Sequence, residues 1–234
     1  EAEVEFDLLS FLPVIVAVGG TALFSENRTE FREPVAVAVD ASDRIYVTDG
    51  RSGSTGLVYR LNDIFGLGHI EYDGSLGAEF GEPRGIAFDA SGRIYVVDSL
   101  GDSVVRFDEM NGLNQTSLSL STNLRGITVN SGGQIHVARW SAQDLFRADD
   151  ISGSGQVTYD SAGGLNNVWD VTLDSSDRIY VLDQSTSSGR LFRFDDMTGS
   201  NQVSYSGGSV SFAEPNAVWV DSSGKIYVAD GDNS

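Results

Sequence analysis

The chain has no cysteine among its 234 residues. Disulfides and thiolate metal sites are therefore excluded, and the redox compartment leaves no trace in the sequence. Positive charge is scarce. Fourteen arginines and one lysine, Lys225, stand against 34 acidic residues, giving a formal charge of −19. Nucleic acid requires clustered cations to neutralise phosphate, so this balance argues against a nucleic-acid partner. It disfavours an anionic membrane surface for the same reason. Histidine is nearly absent. His69 and His136 are too few, and lie in parts of the sequence too different, for a multi-histidine metal site. Long apolar runs are also missing. The longest, Leu8–Val18, has eleven residues, too few to cross a bilayer as a helix, so no membrane insertion is expected. It follows EAEVEFD, which is acidic where a secretory signal would be basic. No phosphate-binding glycine loop, nucleophile–His–carboxylate set or metal-spaced cluster occurs. The sequence therefore predicts no cofactor, no metal and no catalytic residue.

What the chain does have is one sentence written five times. It reads DASDRIYVTD at 40–49, DASGRIYVVD at 89–98, NSGGQIHVAR at 130–139, DSSDRIYVLD at 174–183 and DSSGKIYVAD at 221–230. The central ring falls at Tyr46, Tyr95, His136, Tyr180 and Tyr227, so the steps are 49, 41, 44 and 47 residues. Strand-forming repeats of roughly 40–50 residues signal a β-propeller, in which each blade needs neighbours to cover its faces. The second copy shows the pattern of one blade. A short apolar strand ends at Phe88, Asp89–Gly92 turns the chain, Arg93–Val97 is β-branched and aromatic, Ser103–Asp108 is a third strand, and a fourth runs to about Leu120.

These residues resemble the NHL-repeat family of β-propellers. The matching elements are F-x-E-P before the first strand (31–34, 80–83 and 212–215), D-x-x-[DG]-[RK]-I-Y-V at the hairpin, an Asp after the second strand, and R-F-D closing the third (106–108 and 193–195). The resemblance covers almost the whole chain. It implies an all-β fold, and its members include protein-binding, RNA-binding and enzymatic proteins. Blades 3 and 4 depart from F-x-E-P, with Leu124 and Val168 at the proline position.

The fifth copy stops after its second strand. Val4–Asp7 reads VEFD, like FRFD at 192–195, and the distance from Asp7 to Gly19-Gly20 equals that from Asp195 to Gly207-Gly208. The expectation is a five-bladed β-propeller of four-stranded antiparallel blades, one domain over 1–234. Blades cover 31–79, 80–121, 122–164 and 165–211, and a composite blade of 212–234 with 1–30 closes the ring. Closure removes open sheet edges. One alternative is that the chain is a fragment of a longer propeller, and another is that the N-terminal half-blade completes a neighbouring subunit.

Function is sought where the copies differ. The outer hairpins of blades 2–4 are polar, but the N-terminal one carries Leu8, Leu9, Phe11, Leu12, Val14, Ile15, Val16 and Val18. An exposed apolar strip there would be an interface to a protein partner or to copies of the chain itself. The alternative is that 21–30 folds back over it. The second place is the channel mouth, five residues before each inner strand's terminal Asp or Asn: Val35, Arg84, Arg125, Trp169 and Asn216. Arg139 and Trp140 replace the usual Asp on the same face. Together Arg84, Arg125, Arg139, Trp140, Trp169 and Asn216 are candidates to hold a small anion, a glycan or an acidic peptide. The alternative is that the arginines pair with Glu33, Glu82, Glu214 and Asp170. The repeated Asp residues are expected to tie loops. The leading expectation is a non-catalytic binding or structural scaffold in an extracellular or cell-surface setting. Ligand binding at the mouth comes second, and a propeller lactonase, lyase or glycosidase third.

Overall fold

A computed structural model describes residues 4–7, 12–15, 31–51, 55–66, 68–77, 79–120, 123–160, 164–184, 189–208 and 211–231. Four complete blades follow one another. The first is β3 (Pro34–Val39), β4 (Ile45–Asp49), β5 (Leu57–Leu61) and β6 (Ile70–Tyr72). The second is β7 (Pro83–Phe88), β8 (Ile94–Asp98), β9 (Ser103–Phe107) and β10 (Thr116–Ser119). The third is β11 (Leu124–Val129), β12 (Ile135–Arg139), β13 (Asp144–Ala148) and β14 (Val157–Tyr159). The fourth is β15 (Val168–Leu173), β16 (Ile179–Asp183), β17 (Arg190–Phe194) and β18 (Val203–Tyr205). Each is an antiparallel meander, and the inner strands β3, β7, β11 and β15 stand side by side in chain order, followed by β19 (Pro215–Val220).

The repeated motif explains the local geometry. Asp40, Asp89 and Asp174 each accept from two turn amides, from an Arg Nε at 2.6–2.7 Å and from a Tyr hydroxyl at 3.1 Å. The fourth turn position is Asp43, Gly92, Gly133, Asp177 and Gly224, all at positive φ between 57° and 86°. That is why the motif alternates Asp and Gly there: both tolerate the left-handed region. Where the second strand ends in Asp, as in every blade but the third, that Asp ties the preceding loop. Asp49, Asp98 and Asp183 accept from the amide pairs of Arg32 and Glu33, Gly81 and Glu82, and Asn166 and Asn167. The last pair shows that the loop before β15 keeps this tie without F-x-E-P.

The core lies between blades. Tyr46 and Val58 of the first blade pack with Ile86, Val96, Val105 and Phe107 of the second, and the same pattern joins the second to the third. The second strands β8 and β16 are buried along their whole length, which fits their unbroken β-branched and aromatic runs.

Of the expected composite blade, only 4–7, 12–15 and 212–231, with the strands within them, fall among the described residues. β19 pairs with β20 (Ile226–Asp230) as a two-stranded sheet, and β1 (Val4–Asp7) pairs with β2 (Leu12–Ile15) as another. No ladder joins β20 to β1 among the described strands. Eight residues separate the outer strands of every complete blade, at 62–69, 108–115, 149–156 and 195–202. β19 and β3 do not form the packed interface that consecutive inner strands form.

Candidate functional site

The site is built at the first residues of the inner strands. Register against the second strand shifts within Pro34/Ala36, Pro83/Ile86, Leu124/Ile127, Val168/Asp170 and Pro215/Ala217. A β-bulge there re-aims a side chain out of the pleat. The residues at these bulges are Val35, Arg84, Arg125, Trp169 and Asn216, the positions that the repeat singles out. Small residues follow them, Ala36, Gly85, Gly126 and Ala217, because neighbouring inner strands approach closely. A Cβ on Gly85 would press on the Arg125 carbonyl and the Ile127 amide.

Arg125 is the centre of the cluster. Its guanidinium lies 4.4 Å from the centroid of the Trp169 ring and 5.3 Å from that of Trp140. Its Nε and Nη1 are buried and have no hydrogen-bond partner among the described residues. Burial, and after it the charge of Arg84, brings its pKa down to about 10, with Glu82 opposing. It stays cationic at neutral pH. Arg84 is neutralised: its Nη2 donates to Glu82 Oε1 at 2.6 Å. Among the described residues, Arg125 is a cation of this lip with no ion-pair partner, on a chain that is strongly acidic.

The other candidates separate from it. Arg139 donates from Nε and Nη2 to the two oxygens of Asp144, each at 2.6 Å, and lies over Phe146. It is committed to a structural pair. Asn216 donates to the Glu214 carbonyl and accepts from Gln184 Nε2. The Arg139–Asp144 pair was legible in principle. These two residues are cross-strand partners, as are Asp183 and Arg190 in the next blade, so blade 3 carries the same pair with the charges exchanged. Leu12, Val14 and Ile15 fall in β2, but their side chains, and Leu8, Leu9, Phe11, Val16 and Val18 altogether, lie outside the described residues.

Asp170 was named only as a possible arginine partner, and its role is different. It occupies the position held by Ala36, Gly85, Gly126 and Ala217 in the other inner strands. Its Oδ1 accepts from the Val171 amide and its Oδ2 from the Val218 amide, at 2.9 and 2.8 Å. The second bond joins blade 4 to the bulge of β19. Gly126 leaves it room, since a Cβ there would collide with the carboxylate. Burial pushes its pKa up to about 7 against the pull of the two amides. Two cavities lie away from this cluster. One of about 370 Å³ lies between β18 and β20, and one of about 430 Å³ lies at the outer edge between the first two blades.

The blade geometry matches known structures. It has TM-scores of 0.66 and 0.65 to virginiamycin B lyase from Staphylococcus aureus and to a streptogramin B lyase, at 12% and 14% identity, over 86% and 84% of this chain. The fold is a β-propeller. The chain spans 64% and 62% of the length of these two lyases, less than two thirds. A nidogen/laminin complex matches with a TM-score of 0.63 at 19% identity, over 84% of this chain and 72% of that one. An extracellular domain of a one-component system from B. thetaiotaomicron matches at 0.61 and 15%, over 87% of this chain and 29% of that one. No family model and no curated protein matches the chain. At these identities the likeness carries the fold alone. The propeller hosts both lyases and binding proteins, so function rests on the residues at its lip.

Proposed function

We propose that this chain is a non-catalytic binding module of the NHL propeller type, and that it holds the carboxylate of a small acidic ligand on Arg125. The observation that carries the reading is the guanidinium itself: cationic, stacked between Trp140 and Trp169, and with two buried nitrogens that lack partners. Buried donors are nearly always satisfied, and a carboxylate is the group that matches a guanidinium in charge and in geometry. The indole faces beside it suit the flat or apolar face of the same ligand, an acidic sugar or an aromatic acid. The recurring aspartates support binding over catalysis, because Asp49, Asp98 and Asp183 are already engaged by pairs of loop amides.

The three tryptophans supply the test. Trp219 lies on the last inner strand, away from the lip, so Trp219→Phe leaves only the two indoles that flank Arg125. Titration of this variant with benzoate, glucuronate and galacturonate is expected to change its fluorescence saturably for at least one probe. Arg125→Ala is expected to weaken that binding at least tenfold. Trp169→Ala should weaken it less, because stacking is lost and the ion pair kept. A flat response to every probe, or equal affinity in Arg125→Ala, overturns the reading.

A further inference from the structure

Arg84 and Arg125 face the lip from neighbouring blades. They hold the same place on β7 and β11, each at a bulge where the register to the second strand shifts. The two inner strands pack side by side. They approach closely here, since a Cβ on Gly85, the residue after Arg84, would stand 2.7 Å from the Arg125 carbonyl. On the other side, the Thr48 hydroxyl of the first blade donates to the Arg84 carbonyl at 2.5 Å. Two guanidinium groups are thereby set on adjacent strands of one lip. The charge of Arg84 reaches Arg125 and, after burial, helps lower its pKa. Like charges gathered in one place form a focus for negative charge.

The partner of Arg84 is loosely made. Glu82 reaches it with one oxygen, at Nη2, while Nε is buried without a partner among the described residues. Arg139 gives the contrast, because Asp144 takes both its Nε and its Nη2. The Arg84 and Glu82 side chains are 21% and 30% exposed, against 15% and 10% for Arg139 and Asp144. A single-point pair open to water is weak, and a carboxylate that grips a guanidinium with both oxygens is stronger. Glu82 shows that a carboxylate fits at Arg84, and its exposure lets it turn out to solvent.

We infer that the ligand of this lip carries two acid groups, one held by Arg125 and the other by Arg84 in place of Glu82. This rests on the Arg125 site proposed above and narrows its ligand to dicarboxylates. The order along the lip is Arg84, Arg125 and Trp169, on β7, β11 and β15. Both acids therefore belong at one end of the molecule, with a flat body reaching over the indoles, as in a benzene dicarboxylate. The chain has a formal charge of −19, so a second negative charge on the ligand is repelled unless a cation meets it. A preference for the diacid is thus a specific sign of Arg84.

Fluorescence titration of Trp219→Phe at neutral pH with benzoate, phthalate and isophthalate tests this. The probes share one ring and differ in the number and spacing of carboxylates. At least one diacid is expected to bind about tenfold tighter than benzoate, the worth of one charge-assisted contact. Adding Arg84→Ala should bring the diacids down to the affinity of benzoate or below it. Adding Glu82→Gln should raise diacid affinity severalfold, because no carboxylate has to be displaced. Benzoate that binds at least as tightly as either diacid overturns the proposal and leaves Arg125 as a site for one carboxylate. So does a diacid preference that survives Arg84→Ala, or a diacid affinity that Glu82→Gln fails to raise. If no probe binds, or all bind equally after Arg125→Ala, the Arg125 site itself is overturned, and the two-acid ligand with it.

Discussion

At the scale of single residues, blade 3 shows how the scaffold tolerates substitution when partners change together. In the other complete blades an Asp, an Arg and a Tyr meet at the hairpin. Blade 3 has Asn130, Gln134 and His136 in their places. Asn130 Nδ2 donates to Gln134 Oε1 at 3.0 Å, and the Gln134 amide donates to Asn130 Oδ1 at 2.8 Å. His136 is buried, and burial with the nearby Arg147 charge lowers its pKa to about 4. An uncharged ring suits a hairpin whose carboxylate has become an amide. Asp170 is the opposite case, a carboxyl set where its neighbours have small residues. Its pKa is about 7 in the folded chain and about 3.9 when unfolded. Between these values the folded state keeps a proton that the unfolded state has released. Stability contributed by the neutral form is therefore present at low pH and lost as pH rises from about 4 to about 7. Asp170→Asn is expected to flatten that part of the stability curve and, because its Nδ2 cannot accept from the second amide, to melt lower than wild type at low pH. Thermal unfolding at stepped pH checks this, and parallel curves for the two proteins would refute it.

At the scale of elements, the loop before each inner strand is held from outside itself. In every blade but the third, the Asp ending the second strand accepts its two amides, and the bulge that follows aims the lip residue. Repeat spacing made the four-stranded blades, the turns and the Asp ties legible, because each is a local arrangement written in four or five copies. The pairing of the lip arginines was not legible in the same way. Whether Arg84 and Arg125 are free depends on Glu82 and the two indoles, and the bulge geometry decides which of these each side chain meets. The ties themselves differ in burial. Asp98 is 3% exposed, and its loss would strand the amides of Gly81 and Glu82. Asp98→Ala is expected to cost about 3 kcal/mol in urea unfolding. Asp230 makes the equivalent bonds to Ala213 and Glu214 on the exposed last hairpin. Asp230→Ala should cost clearly less, since water reaches the freed amides.

At the scale of the molecule, stability is distributed along a row of blades, each held by its neighbours. The middle blades bury both faces. In the last one, the described strands β19 and β20 pack on blade 4 through Val218 and Val220. The residues that the sequence places in the rest of this sheet, 1–3, 8–11 and 16–30, lie outside the described ones. Local opening is easiest where few apolar contacts hold a segment. Amides of β19 and β20 are therefore expected to exchange with deuterium well before those of β8, β12 and β16 in the isolated chain. Equal protection of the last hairpin and the middle blades would contradict this gradient of stability.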